Sequence, residues 1–544
     1  MPTRPLPTQP ALAAEVGLHA PAAADQSWLV LVEGRPHARV SSDVARVLGL
    51  LDGRRTRADL IDELGAPWTS HALDTLLARF VAAGLLDDGR HRRALDRWVA
   101  FRPPLTIQFT LGNPSRLLAR GRGALDVVIS RPGALTAALL AVSGLAALGF
   151  LLPSAADVLS SPLQLSNAVW LALAMLVVTV LHELGHGAVL THFGGRPNRL
   201  GFMLFYLTPA FFCDVTDGWR LPDRRQRVAV ALAGAGVHCV VGGLAAWAAL
   251  ASSTDSIQHG LLVFSMACYA ISLTNLVPLV RLDGYLALMS YLDIPHLRTK
   301  AMADARHALI DRLFGGRHSR KLPQFRWTVP YGLACMSFPV VLVGLALQRW
   351  ALGFAGASAA GALIFLALIA LVCCLAGRSA WRTVREGWST ATSRRRAAAA
   401  TALLITGITA LGALVPLPYH VTGGYVAEGD RLRLILPVGG DTAPVRPGVR
   451  VELQTQGVLW HRHVATSMVR QGRPRPTTAP ATAFLPLDTA ETLLPAVSYP
   501  LALTSPLPPG HTNVGRVRVE AEHVPAAVWI WRTYLSPPLR ALAQ

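Results

Sequence analysis

Residues 168–193 read AVWLALAMLVVTVLHELGHGAVLTHF. A run of this length crosses the hydrocarbon core of a bilayer, which takes about 20 apolar residues. Three ionisable side chains, His182, Glu183 and His186, interrupt it ahead of His192 at its end. An ionised glutamate facing lipid costs several kcal/mol, so a carboxylate inside a span is normally functional or paired. Histidines at i and i+4 lie about 40° apart around a helix and can face one metal ion. Zinc takes imidazole nitrogens, needs a third protein ligand and leaves a position for water. The glutamate between the histidines then serves as base to that water, whose pKa falls toward about 7 on the metal. In a soluble helix the same spacing often marks nothing more than exposed residues. Within one apolar run the three polar groups need a common explanation, and a zinc site supplies it.

The rest of the chain fits a membrane protein. Of 544 residues, 52% are hydrophobic and only 15% charged, against about 25% charged in soluble domains. Mean hydropathy is +0.39, which excludes a wholly soluble or disordered chain. Six further runs have span length: 134–152, 227–250, 260–280, 329–348, 352–376 and 397–417. Gly201–Cys213 is too short to span and is expected to be re-entrant or a membrane-edge β-loop. The net charge of +19 (51 Lys and Arg against 32 Asp and Glu) falls in alternate loops. Loops 101–132, 194–227, 281–328 and 377–396 are rich in Arg, whereas 153–167 and 251–259 carry no Lys or Arg and 349–351 has only Arg349. The positive-inside rule then puts the N-terminus in the cytoplasm and the tail after Pro418 outside the cell membrane. One span more or fewer would move the tail to the other side. Topology accounts for the basic excess, so nucleic acid is not an expected partner.

Cys213, Cys239, Cys268, Cys335, Cys373 and Cys374 lie in or beside apolar runs and form no CxxC pair. Neither a disulfide framework nor a thiolate metal site is expected. Residues 1–27 hold no apolar core of signal length and are expected to be a disordered cytoplasmic start.

Residues 28–100 have the plan of a small winged-helix α+β module. Trp28–Glu33 reads as a strand ended by Gly34, and Val44, Val47, Leu48 and Leu51 have helical spacing after Ser42 as cap. Asp52-Gly53 is a turn, Thr56 caps a second helix, and Ser70 opens a third that Gly84 stops. The order of SSDVARVLGLLDG, TRADLIDEL and LLARFVAAGLLDD is similar to that of PqqD-like peptide-recognition domains. The resemblance implies a module that binds leader peptides of ribosomally made natural products by adding a strand to a sheet edge. An unrelated winged helix or packing domain has the same pattern. At the other end, RLRLILPV, VRVELQTQG and GRVRVEAEHV alternate apolar and polar residues, so 418–544 is expected to be β-rich. It resembles the barrel of periplasmic membrane-fusion adaptors without their coiled coil. His461 and His463 read there as exposed strand histidines rather than a metal site.

A third zinc ligand must come from another span. Asn275-Leu-Val-Pro278-Leu-Val-Arg-Leu282-Asp283-Gly284 places a carboxylate at a membrane edge, beside a helix-breaking Pro and a Gly that lets the chain turn. Alone, Asp283 is a loop aspartate; beside the histidine pair it leads the candidates. The two motifs, about 100 residues apart, resemble the site-2 protease family of intramembrane zinc metallopeptidases. The resemblance implies zinc on His182, His186 and Asp283, catalysis by Glu183, and a role for Asn275 in holding the substrate strand or the oxyanion. The family's Gly-Pro-x-x-Asn segment would fall at Gly234–His238, where Ala235 and His238 replace Pro and Asn. His238 is either a polar group near the site or a satisfied buried histidine. His192 points to another helix face and is no ligand. The stretch FYLTPAFFCDVTDGWRLPDRR (205–225) resembles the peptide zinc metalloprotease subgroup, with Asp214 and Asp217 as loop-ordering residues.

The expected protein is therefore a multi-pass α-helical membrane protein of about seven spans with two soluble ends. Its parts are a disordered 1–27, a winged-helix peptide-recognition domain 28–100, a basic linker 101–133, a membrane zinc metallopeptidase domain 134–417 and an extracytoplasmic β-rich domain 418–544. Its expected activity is that of a zinc endopeptidase that removes the leader from a ribosomally synthesised modified peptide, in the manner of daptide-type clusters. A regulatory site-2 protease cutting a membrane-anchored signalling protein, and a non-enzymatic export or immunity scaffold, are the alternatives. Expected partners are the leader peptide at the N-terminal domain, the lipid bilayer, and a transporter meeting the C-terminal domain.

Overall fold

Alternating apolar residues and hydroxyl caps build the N-terminal module. In this computed structural model, which describes all residues except 1–6, 15, 21–27, 33–34, 88–97, 103–105, 206–207, 355–358, 429–430, 459, 490–491, 505–506, 509–511, 521 and 544, strands β1 (Val16–His19), β2 (Trp28–Val32) and β3 (Arg35–Val40) form an antiparallel sheet in that order. Glu33 and Gly34, the expected strand end, lie outside the described residues. Helices α1 (Ser42–Leu50), α2 (Arg57–Leu64) and α3 (Ser70–Ala83) follow. Ser41 rather than Ser42 caps α1, and Thr69 caps α3, because the capping oxygen must stand one residue before the first helical turn. Thr56 and Asp59 form a reciprocal capping box on α2, and Gly84 ends α3 in the left-handed conformation. Val30, Val47, Leu48, Leu60, Leu73 and Leu77 make the core. Within the stretch 1–27, expected to be disordered, the described residues supply β1 and set Leu12 opposite Leu86. Leu12, Val16 and Leu18 pack on that core, and this burial orders them.

The described residues of 101–133, expected to be a linker, are also folded. They supply half of β4 (Val99–Arg102) and all of β5 (Thr106–Gly112), α4 (Ser115–Arg120) and α5 (Arg122–Ile129). Then come α6 (Arg131–Leu159), the two-residue β6 (Leu163–Gln164), α7 (Leu165–His192), β7 (Leu200–Phe205) and β8 (Thr208–Cys213). The apolar piece 201–213 is thus a hairpin, and with β4 and β5 it forms an antiparallel sheet in the order β4-β5-β7-β8. β5, paired with β4 on one side, needs β7 on the other to satisfy its backbone, a pairing no local pattern announces.

The apolar runs become helices. After α8 (Arg224–Ala251) and α9 (Asp255–Asn275) come the shorter α10 (Asp283–Leu292) and α11 (Leu297–Phe314), then α12 (Thr328–Phe354), α13 (Ala359–Thr390) and α14 (Arg394–Leu414). Among the described residues seven helices, α6 to α9 and α12 to α14, are long and apolar enough to cross a membrane. α8 is central and packs on α6, α7, α9 and α10. Such contacts in an apolar bundle rest on close approach and interhelical hydrogen bonds: Tyr269 Oη donates to the Ala141 carbonyl (2.7 Å), and Ser265 Oγ to that of Gly242 (2.7 Å).

The run expected to reach residue 280 stops as a helix at Asn275, since Pro278 cannot continue it. The break 276–282 is pinned: Tyr331 Oη donates to the Pro278 carbonyl (2.6 Å) and Arg298 Nε to that of Leu279 (3.0 Å). Gly284 sits against the Leu276 backbone so closely that a Cβ would overlap the Leu276 carbonyl oxygen. Gly284→Ala is therefore expected to cost about 3 kcal/mol through forced displacement of this turn. A thermal midpoint several degrees below wild type in detergent checks it.

Among the described residues the C-terminal region carries a seven-stranded antiparallel sheet in the order 431–437, 421–428, 514–519, 450–454, 463–469, 493–503 and 475–480. Strand 431–437 also pairs with 493–503, closing the sheet on itself around Tyr425, Leu434, Val451, Leu453 and Val517. The region is not β throughout: 526–543 is helical and returns to the bundle, where Tyr534 Oη donates to the Gly344 carbonyl (3.1 Å). β6 pairs with Leu487–Asp488, so this region sits at the Arg-poor end of α6 and α7.

Candidate metal centre

Helix α7 sets His182 and His186 on one face, and both are buried. Asp283, the first residue of α10, is buried beside them. The imidazole Nε2 atoms stand 3.3 Å apart, and each faces an oxygen of Asp283 at 3.2 Å: His182 to Oδ2 and His186 to Oδ1. Tetrahedral zinc with bonds of about 2.0–2.1 Å separates its ligand atoms by roughly 3.3 Å. The three donors therefore have the spacing of a zinc ligand set.

Hydrogen bonds on the far side of each ring support that fit. His186 Nδ1 donates to the Val230 carbonyl (2.7 Å), which leaves the Nε2 lone pair facing the cluster. His182 Nδ1 lies 3.0 Å from His238 Nδ1. With the His182 Nε2 lone pair directed to the cluster, His182 Nδ1–H donates to His238, and the His238 proton moves to Nε2. Two lone pairs at 3.3 Å and a carboxylate at 3.2 Å repel one another without a metal cation or a proton between them. Space for that cation is kept by Gly234 on α8: a Cβ there would stand 2.5 Å from His186 Nε2 and 2.6 Å from His182 Nε2.

Glu183 is next along the helix. Its Oε1 lies 3.8 Å from His182 Nε2, and its Oε2 accepts the Cys213 backbone N–H at 2.6 Å. The edge strand β8 thus aims the carboxylate. The nearby Cys213 thiol is pushed up to about 12 by burial, with the charges of Glu183 and Asp214 adding. Asn275 lines the same cleft of about 1000 Å³, as do His238 on α8 and Val32 of the N-terminal module.

The other candidates stand outside the donor cluster, although Asp214 lines the same cleft. His192 contacts Asp126 (2.6 Å), on a face away from the cluster. Asp214 accepts from Thr216 Oγ1 (2.7 Å), and Asp217 from Arg196 N (2.8 Å), so both order the loop after β8. His461 and His463 contact the Thr455 carbonyl and Thr466. Neither belongs to a metal-capable group among the described residues.

His238, left open by its sequence, is in direct contact with His182. A histidine partner of this kind fixes tautomer and ring orientation. His238→Ala is expected to weaken zinc affinity about 10- to 100-fold, with His238→Asn intermediate. Competition against a chelating dye measures both.

Fold and centre together describe an apolar helical bundle with a three-donor, zinc-fitting cluster and an adjacent carboxylate. The chain is similar to the protein named "Putative peptide zinc metalloprotease protein YydH" of Bacillus subtilis (strain 168), at 31% identity over 117 residues, 21% of this chain and 44% of that protein. The matched part is thus less than half the length of that relative. This distant likeness supports a relationship to zinc metalloproteases. No family model and no solved structure matches the chain.

Proposed function

We propose that this chain is a membrane-embedded zinc endopeptidase that removes the leader from a ribosomally synthesised, modified peptide, as in daptide-type clusters. The convergence of His182, His186 and Asp283 donors at 3.2–3.3 Å, with Glu183 alongside, carries this reading. Zinc bound there supplies Lewis acidity to polarise a peptide carbonyl and activate water. Glu183 takes the proton of the attacking water and returns it to the leaving amine. A substrate must be extended to expose its backbone. β8 lies at one edge of its sheet beside Glu183 and offers a strand-pairing surface. Asn275 would hold the substrate strand.

The N-terminal module reads as the winged-helix receiver of the leader. β3 has a strand neighbour on one side only among the described residues, and it lies against the turn at 216–220 near the cleft. A leader paired along β3 would deliver the following segment to Glu183. The seven apolar helices favour insertion in the cell membrane. The loop charges favour a cytoplasmic N-terminal module and an external C-terminal barrel, which is then free to meet a transporter.

The test is mass spectrometry of the precursor peptide encoded beside this gene, incubated with detergent-purified protein. A single cut, lost on chelation, restored by zinc and absent for a peptide without its leader, is the expected result. Folded, zinc-loaded protein that leaves the precursor whole would overturn the leader-peptidase reading.

A further inference from the structure

A second cluster lies outside this centre and shares no residue with it. His307 is on α11, His318 follows the turn after Gly315, and Glu386 is near the end of α13. His307 Nε2 is 3.3 Å from Glu386 Oε1, and His318 Nε2 is 3.9 Å from the same oxygen. The two rings stack with centroids 4.4 Å apart and planes 15° apart. One donor atom from each residue lies within 4.8 Å of the others.

The surroundings have the form of a built site. His318 Nδ1 is 2.6 Å from Asp311 Oδ1, and the His318 backbone N–H donates to Asp311 Oδ2 (3.1 Å). Asp311 therefore holds the Nδ1 proton and orients the ring, the arrangement in which a carboxylate presents a histidine to a metal. It leaves a His318 Nε2 lone pair facing a carboxylate oxygen, a repulsion that a metal cation or a proton between them relieves. Arg306 Nη2 holds the second oxygen of Glu386 at 3.2 Å, so Oε1 alone is presented to the histidines. The side chains of His307 and His318 are each 16% exposed, and that of Glu386 29%, sheltered but open to entry.

We infer that His307, His318 and Glu386 form a second divalent transition-metal site, of zinc class, that clamps α11 to α13. Two imidazoles with one carboxylate suit zinc and its neighbours and do not suit calcium or magnesium. The 3.3 Å separation already matches a pair of tetrahedral ligands; the 3.9 Å separation closes by a movement of about 0.5 Å of the His318 loop. The clamp has a mechanical consequence. Arg298, at the start of α11, holds the Leu279 carbonyl in the turn that ends at Asp283. Securing α11 thus secures the support of that turn.

The test is metal content of full-length protein, stripped and re-equilibrated with micromolar free zinc, by mass spectrometry of the eluted metal. Wild type is expected to hold two equivalents. His318→Ala and the near-isosteric Glu386→Gln should each hold one, and His182→Ala/His186→Ala should hold one that His318→Ala then removes. Zinc should raise the thermal midpoint of His182→Ala/His186→Ala protein and leave that of the triple variant unchanged. Asp311→Asn should weaken this equivalent about 10- to 100-fold. One equivalent in wild type, retained by both His318→Ala and Glu386→Gln, would overturn the inference and leave a cluster held by protons alone.

Discussion

Glu183→Gln protein is expected to keep its zinc and lose cleavage. Removal of a general base alone costs about 10²- to 10⁴-fold. The substitution is nearly isosteric, and its amide oxygen still accepts the Cys213 N–H that now reaches Glu183 Oε2 at 2.6 Å. The donors on His182, His186 and Asp283 are untouched, so metal content and thermal midpoint should match wild type. A Gln amide cannot take a proton from water or deliver one to the leaving amine. Zinc content, melting and cleavage measured on one preparation decide it. A folded, zinc-loaded variant that still cuts at the wild-type rate would remove Glu183 from the chemistry.

Gly234→Ala is expected to disable the centre without altering any proposed ligand. The new Cβ would stand 2.5 Å from His186 Nε2 and 2.6 Å from His182 Nε2, closer than side-chain carbons pack. One helix must retreat or both rings must turn away, and the backbone of α8 is held by its packing on α6, α7 and α9. The rings are the softer party. Displacement of ligands by about 1 Å is enough for a loss near 10²-fold in rate, and zinc occupancy should fall with it. Overpacking itself costs about 1–3 kcal/mol, so the protein is expected to remain folded. Wild-type zinc content and rate in this variant would mean that the cluster does not close on a metal at the face of Gly234.

These two residues differ in how far the sequence exposes them. Glu183 is legible because its setting is local: an apolar run, a helical period and two histidines four residues apart. Asp283 is legible for a similar reason, since Pro278 and Gly284 announce a break at a span end. Gly234 and His238 are so only in part: the family resemblance marks the segment but leaves its role open. Their meaning depends on which face of α8 meets α7, and tertiary packing decides that. The same holds for 101–133, where β5 is a strand because β7 lies beside it. β1 is ordered by contact with a core built mainly from later residues. His307, His318 and Glu386 come together from two helices and a turn, at spacings no motif describes.

The chemistry proposed for this chain rests on one ion between three side chains. Anomalous diffraction at the zinc edge from crystals of Glu183→Gln protein locates it directly. A peak within about 2.0–2.2 Å of His182 Nε2, His186 Nε2 and a carboxylate oxygen of Asp283 is expected. Fully zinc-loaded crystals with no peak at that position, or a peak whose ligands do not include Asp283, would contradict it.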